Sequence, residues 1–570
     1  MRLAGAAAAA NDASATAWGQ GYLRLPLQPP PGGTLSSGID CNLYEDYYST
    51  RKILADSLIY MPTEFLHSQD DGGGGAGLAD MWKLHWQSPR SGGGFLWAMV
   101  DEGIVRTDQR NIIDVNAVNA PDGVLGPHPE KEGSFFAIRE IFAPVHITLK
   151  ELPAKFDGTI PVENRYHFTN LSQCFFQWEL VNFRKPGDPF AGSLPGRKSR
   201  FKSPAVAPLA TGKLKLELPK DWRSYDGLVL FAFDPQKNLV YKWTWKTGGN
   251  AKLLAGVLAP ATEADAAWRV LGRQGNNGAE MLAFQAKDKP AVQVAETDST
   301  LSLTASSISV TFNKTNGRLT GVKGNNGDKL SFTNGPVLVA GPAAFAALTH
   351  HPEAGGEVIE ATYTGALRTV RWKMHASGWL RMDYEYALTG DHAFSGLSFS
   401  YPENFVIGAK WLGQGPYRAW KNRLAGTTLN VWENANNNTQ TAAVPWIYPE
   451  FKGYFADIAW MEFNTVEGAF LVASPDPGLL VRRFNFYGLS GAKPQPGLPT
   501  GDISFLDGIP PIGTKLGLNI DQHPERLGPN SEPNHLTGAP MRRTLYFYFG
   551  LPPTNSKPQP YIAPAKDDLF

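Results

Sequence analysis

Hydrophobic and polar positions follow two different periods along this chain, and the period changes near residue 145. Between residues 38 and 142, short apolar runs alternate with segments whose apolar residues recur at helical spacing, most clearly over residues 78–85 and 134–142. Strand-like and helix-like segments alternate three times in this region. The pattern therefore predicts βα units of a parallel sheet, fewer than half of the eight units in a (β/α)8 barrel.

From residue 145 onward, apolar and polar residues alternate one by one, as in strands with one buried face. Runs such as VHITLKEL and CFFQWELVNF are bounded by Gly, Pro and Asn, which predicts an immunoglobulin-like β-sandwich of short strands. The segment 247–296 is weakly patterned and predicts a connector with one short helix near 261–267. Strand patterns and turn signals then continue to about residue 551, as expected of one large antiparallel β-sandwich.

These patterns predict a multidomain, mainly β protein that contains a partial (β/α)8 barrel, an immunoglobulin-like sandwich and a large antiparallel sandwich. A chain of 570 residues is too long for a single core, in agreement with several domains. The predicted boundaries are an irregular N-terminal segment at 1–37, the barrel part at 38–144, the immunoglobulin-like sandwich at 145–246, the connector at 247–296 and the large sandwich at 297–570.

Composition narrows the range of partners. The 53 Lys and Arg residues equal the 53 Asp and Glu residues, so charge gives no argument for nucleic acid or an anionic membrane. No apolar run reaches the ~20 residues that a membrane helix needs. The two cysteines, Cys41 and Cys174, are too few for a disulfide framework or a metal cluster. The alanine-rich N-terminus is a poor signal peptide, so we expect a cytoplasmic protein and leave a periplasmic or secreted location open.

Candidate chemistry lies at the ends of the short strands in the first region. Glu64 ends the apolar run LIYMPTE, and a carboxylate at the end of a barrel strand can attack an anomeric carbon. Tyr44 ends the preceding strand, from which its phenol can hydrogen-bond a nucleophilic carboxylate. Trp97 ends the following strand, and its aromatic face suits the apolar face of a sugar ring. A surface or capping role is the alternative for Glu64.

Further polar residues follow these strands and are expected on the same face. His67 comes three residues after Glu64, and a lone histidine there is more often structural. Asp101 and Glu102 come soon after Trp97, where they can bind sugar hydroxyls or close an ion pair. The loop after that strand carries two more candidates for substrate binding, Asp122 and His128.

The segments CNLY, TEFLH, GGGFLWAMVDEG and PDGVLGPHPE, in this order and spacing, resemble glycoside hydrolase family 2, and specifically its large bacterial β-galactosidases. The segment KWLGQGPY at 410–417 is similar to the WLGxGP segment of the family's last sandwich. The resemblance extends from about residue 38 over nearly the whole chain. It implies that the first region is the C-terminal part of a catalytic barrel, followed by sandwich domains.

The resemblance also implies roles for individual residues. Glu64 would be the nucleophile of a retaining exo-β-glycosidase, Tyr44 its tyrosine partner, and Trp97 the sugar platform. His67 would bind substrate, and Asp122 falls where the family has an asparagine near the sugar and a sodium ion. The sequence itself identifies no cofactor, and a Na⁺ or Mg²⁺ ion rests on family analogy alone.

The chain departs from the family pattern in ways that concern specificity and completeness. SQDDG follows the histidine where the family has methionine-glycine-asparagine-serine, VDQG has become VDEG, and WDW has become WAM. No Asn-Glu dipeptide, which carries the family's catalytic acid/base, precedes Glu64. A retaining glycosidase needs two carboxyl groups ~5–5.5 Å apart, and the nearest local substitutes are Glu45 and Asp46.

Two functions are therefore compatible with the sequence. The first is a β-galactosidase-like hydrolase whose site is completed by a complementing chain or by a homo-oligomer. The second is a non-catalytic carbohydrate-binding protein, or an inactive fragment of such an enzyme, that retains the aromatic sandwich.

Overall fold

The computed structural model describes eleven stretches of the chain. They are residues 39–42, 44–67, 75–100, 103–114, 123–125, 131, 133–271, 292–435, 453–483, 499–513 and 524–552, with side chains omitted at 67, 113–114, 262–271 and 524–525. These residues contain four α-helices and 33 strands, so the described part of the protein is mainly β.

The first region contains short parallel strands connected by helices. In chain order, the elements are β1 (Ile39–Asp40), α1 (Tyr47–Ile53), β2 (Ile59–Tyr60), β3 (Phe65–His67), α2 (Leu78–Gln87) and β4 (Leu96–Trp97). β1 pairs in parallel with β2, and β3 pairs in parallel with β4. A further parallel bridge joins Val100 to Leu125, so successive segments of the chain lie side by side. This is the strand order that consecutive βα units produce.

Evenly spaced hydrogen bonds extend the pairing of β1 and β2 beyond the two strands themselves. Met61 N donates to Asp40 O at 3.0 Å, Thr63 N to Asn42 O at 3.0 Å, and Tyr44 N to Glu64 O at 2.9 Å. Even spacing is characteristic of a parallel ladder. The ladder of hydrogen bonds therefore continues as far as Tyr44 and Glu64, the two candidate catalytic residues.

The region ends in a hairpin and a helix. The hairpin is formed by β5 (Ile104–Arg106) and β6 (Ile112–Asp114), and the helix α3 spans Gly133–Ile141. None of the helices in the described residues combines the length and the hydropathy that a membrane crossing requires.

Seven antiparallel strands form a small two-sheet sandwich next in the chain. They are β7 (Val145–His146), β8 (Thr159–Asn164), β9 (Phe175–Phe183), β10 (Ser193–Lys202), β11 (Thr211–Lys215), β12 (Gly227–Phe233) and β13 (Leu239–Lys246). One sheet has the order β10-β9-β12-β13 and the other β11-β8-β7. Side chains from both sheets, including Ile160, Phe176 and Trp243, share one buried cluster.

Helix α4 (Asn250–Leu271) follows the small sandwich and is longer than the short helix expected near 261–267. Buried side chains recur along its first half at positions 253, 254, 257, 258 and 261, and they belong to the same apolar cluster as the large sheet. This helical spacing was present in the sequence. Pro260 lies inside the helix, and alanines and glycines dilute the apolar contrast that marks an amphipathic face.

Most of the remaining chain forms one curled antiparallel sheet of 18 strands. The strands after α4 are β14 (Gln293–Glu296), β15 (Thr300–Ala305), β16 (Ile308–Asn313), β17 (Leu319–Lys323), β18 (Lys329–Leu330), β19 (Thr333–Leu338), β20 (Ala343–Glu353), β21 (Gly356–Gly365), β22 (Leu367–His375), β23 (Leu380–Tyr386), β24 (Thr389–His392), β25 (Ser395–Ser400), β26 (Val406–Ala419), β27 (Thr428–Ala435), β28 (Tyr454–Thr465), β29 (Phe470–Ala473), β30 (Leu480–Arg482), β31 (Ile503–Gly508), β32 (Asn534–Thr537) and β33 (Met541–Tyr548). Strands β24 and β32 pair only with each other. The sheet folds around an aromatic core that includes Phe332, Trp372, Phe399 and Phe547.

Helix α3 connects the small sandwich to the large sheet through one carboxylate. The hydroxyl of Tyr241 in β13 donates to Glu140 Oε2 at 2.8 Å, and the backbone N–H of Gly426 donates to the same oxygen. Burial beside this carboxylate holds the pKa of Tyr241 well above its usual value. Gly426 has φ +85°, and a Cβ there would lie 2.3 Å from the Phe136 carbonyl carbon. This contact therefore requires glycine.

The fold confirms the mainly β character of the chain and two of the predicted helices. The helices expected over 78–85 and 134–142 are confirmed as α2 and α3, and the mainly β character is confirmed. The barrel and the immunoglobulin-like topology stay predictions, because the described parallel strands are few and the small sandwich is shown only as two packed sheets. The boundaries predicted at 38, 145, 247 and 297 likewise stay predictions.

A buried ion pair supports the large sheet and yields a stability prediction. Arg543 Nη2 lies 2.5 Å from Asp507 Oδ1, both side chains are at most 7% exposed, and Tyr386 OH donates to Asp507 Oδ2 at 2.8 Å. Asp507→Ala removes the carboxylate that pairs with this buried guanidinium and should destabilise the sheet by about 3–5 kcal/mol. A thermal unfolding scan should show a clearly lower Tm. The control Asp391→Ala removes an exposed partner of His535 and should leave the Tm nearly unchanged. Equal Tm values for the two variants would contradict the prediction.

Candidate active site

Tyr44 and Glu64 meet at the ends of two neighbouring parallel strands. The Tyr44 hydroxyl donates a hydrogen bond to Glu64 Oε2, and the Tyr44 N–H donates to the Glu64 carbonyl at 2.9 Å. Tyr44 is 4% exposed, whereas the side chain of Glu64 is half-buried. The pair thus consists of a buried phenol and a half-buried carboxylate.

The backbone turns sharply on either side of this pair. Tyr44 has φ +50° and Leu66 has φ +52°, both in the left-handed region that residues other than glycine seldom occupy. Tyr44 makes the last bond of the ladder and also forms the turn. Its side chain therefore does not follow the up-and-down alternation of side chains along a regular strand. Leu66 and its neighbour Phe65 are buried against α2 and the large sheet.

Trp97 follows on the adjacent strand. His67 and Trp97 are opposite each other in the register of β3 and β4, and Phe65 N donates to Phe95 O at 2.9 Å. The Trp97 side chain is half-buried, and the peptide bond that follows it is cis. Tyr44, Glu64 and Trp97 thus lie on three successive parallel segments of the chain: Tyr44 follows β1, Glu64 directly precedes β3, and Trp97 is the last residue of β4.

The packing behind the strands is aromatic. His85 in α2 stacks on Tyr60 with ring centroids 5.9 Å apart, and it also contacts Phe65 and Trp82. The His85 ring is 3% exposed, and its Nδ1 lies 2.7 Å from Ser91 Oγ. Burial lowers the pKa of His85 to about 4, so the ring is neutral at neutral pH.

The two carboxylates nearest in sequence to Tyr44 have structural partners. Glu45 Oε1 accepts a hydrogen bond from Asn42 Nδ2 at 2.8 Å. Asp46 is 3% exposed, caps α1 by accepting from Ser49 N at 2.7 Å, and forms an ion pair with Arg526 at 3.1 Å. Both carboxylate oxygens of Asp46 are therefore occupied by structural partners, which argues against it as the catalytic acid.

Several predicted site residues lie outside the described part of the chain. They are Asp101, Glu102, Asp122 and His128, together with the side chain of His67. Within the described residues, no cluster of three or more His, Cys, Asp or Glu side chains could hold a metal ion. The described residues thus offer no such cluster for the Na⁺ or Mg²⁺ ion that the family analogy suggests.

Sequence reasoning missed two buried residues beside the site, Asn42 and Tyr60. The Tyr60 hydroxyl donates to Asn42 Oδ1 at 2.5 Å. Both residues lie in short segments that the sequence predicts as buried strands of a parallel sheet, which was a signal for burial. A buried amide and a buried phenol need hydrogen-bond partners, but the sequence alone does not pair them.

Comparison with known proteins identifies no family. No protein-family model matches the chain, and no curated protein sequence matches it significantly. Among solved structures, galactose 1-epimerase from Lactobacillus acidophilus shares 9% identity over 46% of this chain and 98% of its own, with a TM-score of 0.27. The exo-chitosanase CsxA of Amycolatopsis orientalis, in complex with PNP-beta-D-glucosamine, shares 10% identity over 54% of this chain and 32% of its own, with a TM-score of 0.18. Similarity this low carries no argument about function.

The neutral, buried His85 predicts how stability depends on pH. Its pKa is about 4 in the folded state against 6.5 for an exposed histidine, so the unfolded chain binds an extra proton between these values. The free energy of unfolding should therefore fall as pH drops from about 6.5 to 4, by about 3 kcal/mol from this residue.

The measurement is the Tm of wild type and His85→Gln at a series of pH values. The Tm of the variant should fall less steeply between pH 6.5 and 4, because glutamine does not titrate. His535→Gln, at an exposed position, serves as the control and should follow wild type. Parallel curves for wild type and His85→Gln would refute the prediction.

Proposed function

We propose that this chain supplies the nucleophile of a retaining exo-β-glycosidase of the β-galactosidase type. The supporting observation is the hydrogen bond from the buried Tyr44 phenol to the half-buried carboxylate of Glu64, at the ends of adjacent parallel strands. A carboxylate in this position is accessible to a ligand while one of its oxygens is held by a fixed donor. Trp97 follows on the next segment and provides an aromatic surface for the sugar ring.

In the proposed reaction, a Glu64 oxygen attacks the anomeric carbon of a terminal β-linked sugar. A bond forms between that oxygen and the carbon, and the bond to the leaving oxygen breaks with its electron pair, which an acid protonates. Water then attacks the same carbon, gives up a proton to the base form of that acid, and releases Glu64. Tyr44 donates to the carboxylate oxygen and orients it. His67, Asp101, Asp122 and His128 bind the sugar hydroxyls in this proposal.

The proposal assigns the acid/base to a residue outside the described part of this chain, in the same chain or in a partner. Glu45 and Asp46 already have structural partners, which argues against both. Phe95 and Met99 are 61% and 68% exposed in a region of parallel strands, which are normally covered on both faces. This exposed apolar surface supports the proposal that a complementing chain, or a second copy of this chain, packs against the parallel strands.

A non-catalytic carbohydrate-binding protein is the second candidate. It is favoured by the structural roles of Glu45 and Asp46. A site that has no catalytic acid can still bind a sugar and leave its glycosidic bond intact. The two functions differ in whether Glu64 forms a bond to the sugar.

A substrate with a good leaving group separates the nucleophile from the missing acid. 2,4-Dinitrophenyl β-galactoside releases a stable phenolate that needs no proton, so we expect the chain to cleave it. Glu64→Gln should lower the rate by about a thousandfold or more, since the covalent step is lost. Release of dinitrophenolate is followed by absorbance, and Glu151→Gln, at an exposed position, is the matched control.

Azide provides an independent test with Glu64→Ala. The anion occupies the space left by the carboxylate, attacks the anomeric carbon and expels dinitrophenolate, which yields an α-galactosyl azide. Unchanged hydrolysis in Glu64→Gln would show that the nucleophile assignment is wrong. Galactose binding by calorimetry without any cleavage by wild type would favour the carbohydrate-binding function.

A further inference from the structure

A buried hydrogen bond lies next to the Tyr44–Glu64 pair, on the same two strands. The Tyr60 hydroxyl donates to Asn42 Oδ1 at 2.5 Å, and the two residues are 1% and 3% exposed. Asn42 precedes Tyr44 by two residues, and Tyr60 precedes Glu64 by four. The bond therefore links the two strands just before each candidate catalytic residue.

Asn42 uses its remaining polar groups to hold the turn that contains Tyr44. Its Nδ2 donates to Glu45 Oε1 at 2.8 Å, which joins the residues on either side of the turn. Its carbonyl accepts from Thr63 N at 3.0 Å and from Thr63 Oγ1 at 3.2 Å. The side chain and the carbonyl of Asn42 thus bridge the turn and the strand segment that leads to Glu64.

Tyr60 is in turn fixed by its own packing. Its ring stacks on His85 with an interplanar angle of 18°, and it belongs to a buried cluster with Ile53 and Leu54 at the end of α1. A phenol held in this way presents its hydroxyl in one direction. Because Tyr60 is buried, it can influence a ligand only through the residues it contacts, and among these Asn42 is bonded to the turn that contains Tyr44.

The conformation of Tyr44 shows why such support is needed. A non-glycine residue at φ +50° costs of order 1–3 kcal/mol and persists only where its surroundings enforce it. Contacts that hold this conformation include the Tyr44 N–H bond to Glu64 O and the Asn42 bonds to Glu45 and Thr63. Losing the Tyr60 bond leaves a buried amide oxygen without its donor and weakens this support.

We propose that Asn42 and Tyr60 are positioning residues for the nucleophile. They hold the turn at Tyr44 so that its phenol meets Glu64 and fixes the carboxylate for attack. This inference rests on the proposed function, since it concerns the orientation of the Glu64 carboxylate relative to an anomeric carbon. Small errors in the placement of a reacting group lower the rate of the chemical step more than the affinity for substrate.

The test is the covalent labelling of Glu64 by 2-deoxy-2-fluoro-β-galactosyl fluoride. A Glu64 oxygen bonds to the anomeric carbon, and fluoride leaves with the electron pair of the C–F bond, so no acid is needed. Intact-protein mass gives the labelling rate at each reagent concentration. Tyr60→Phe should lower the maximal rate about tenfold or more, while the concentration at half-maximal rate stays within about twofold.

The matched control is Tyr401→Phe. Tyr401 is also 1% exposed, and its hydroxyl donates to Glu467 Oε2 at 3.0 Å in the large sheet. Both variants lose one buried phenol hydroxyl, so a purely structural effect would lower the Tm in both and leave the labelling rate unchanged. A labelling rate of Tyr60→Phe equal to that of Tyr401→Phe would overturn the inference.

Asn42→Ala removes the acceptor of the same hydrogen bond. It should slow labelling at least as much as Tyr60→Phe does, and the double variant should be no slower than Asn42→Ala alone, because the two residues act through one contact. Additive losses would overturn the inference and leave the nucleophile assignment standing. Absence of labelling at Glu64 in wild type would instead overturn the proposed function, and the inference with it.

Discussion

The structure of the first region depends on its packing against the large sheet. Strands of two or three residues cannot form a stable sheet alone, and their parallel pairing requires a covered face. Phe65, Met81 and Leu78 provide that cover by joining one buried cluster with Trp420 and other side chains of the large sheet. Polar contacts reinforce it: Asp80 Oδ1 accepts from Asn530 Nδ2 at 2.8 Å. The βα segments are therefore held in place by side chains of a distant β-sheet and by a contact to Asn530, which is 450 residues from Asp80 in the sequence.

This arrangement explains how a few short strands can carry a rigid site. The hydrogen-bond ladder ends at Tyr44 and Glu64, and β3 continues at once into residues buried against the large sheet. Glu64 therefore lies between two fixed points, the ladder before it and the buried Phe65 after it. A nucleophile needs such support, since its rate depends on its placement relative to the substrate.

Local periodicity was enough to predict α2 and α3, because helical spacing is a short-range property of the sequence. The bond between Tyr60 and Asn42 could not be predicted, because any of several polar groups could have satisfied either side chain. The full length of α4 was missed because Pro260 lies inside it and its alanines and glycines dilute the apolar contrast of its buried face. The partners of Asp46 and Asp80 lie near residue 530, and no local pattern indicates such distant contacts.

Backbone conformation offers an argument for function that is independent of resemblance. Tyr44 and Leu66 both have a positive φ, and they lie on the two chain segments that meet at Glu64. Left-handed turns at bulky residues cost free energy, and they tend to occur where a side chain must be held in an unusual direction. The Tyr44 side chain points toward the carboxylate of Glu64, to which its hydroxyl donates a hydrogen bond. A solvated surface glutamate would need neither the turn nor the buried phenol, whereas the nucleophile proposed here would use both to fix its carboxylate.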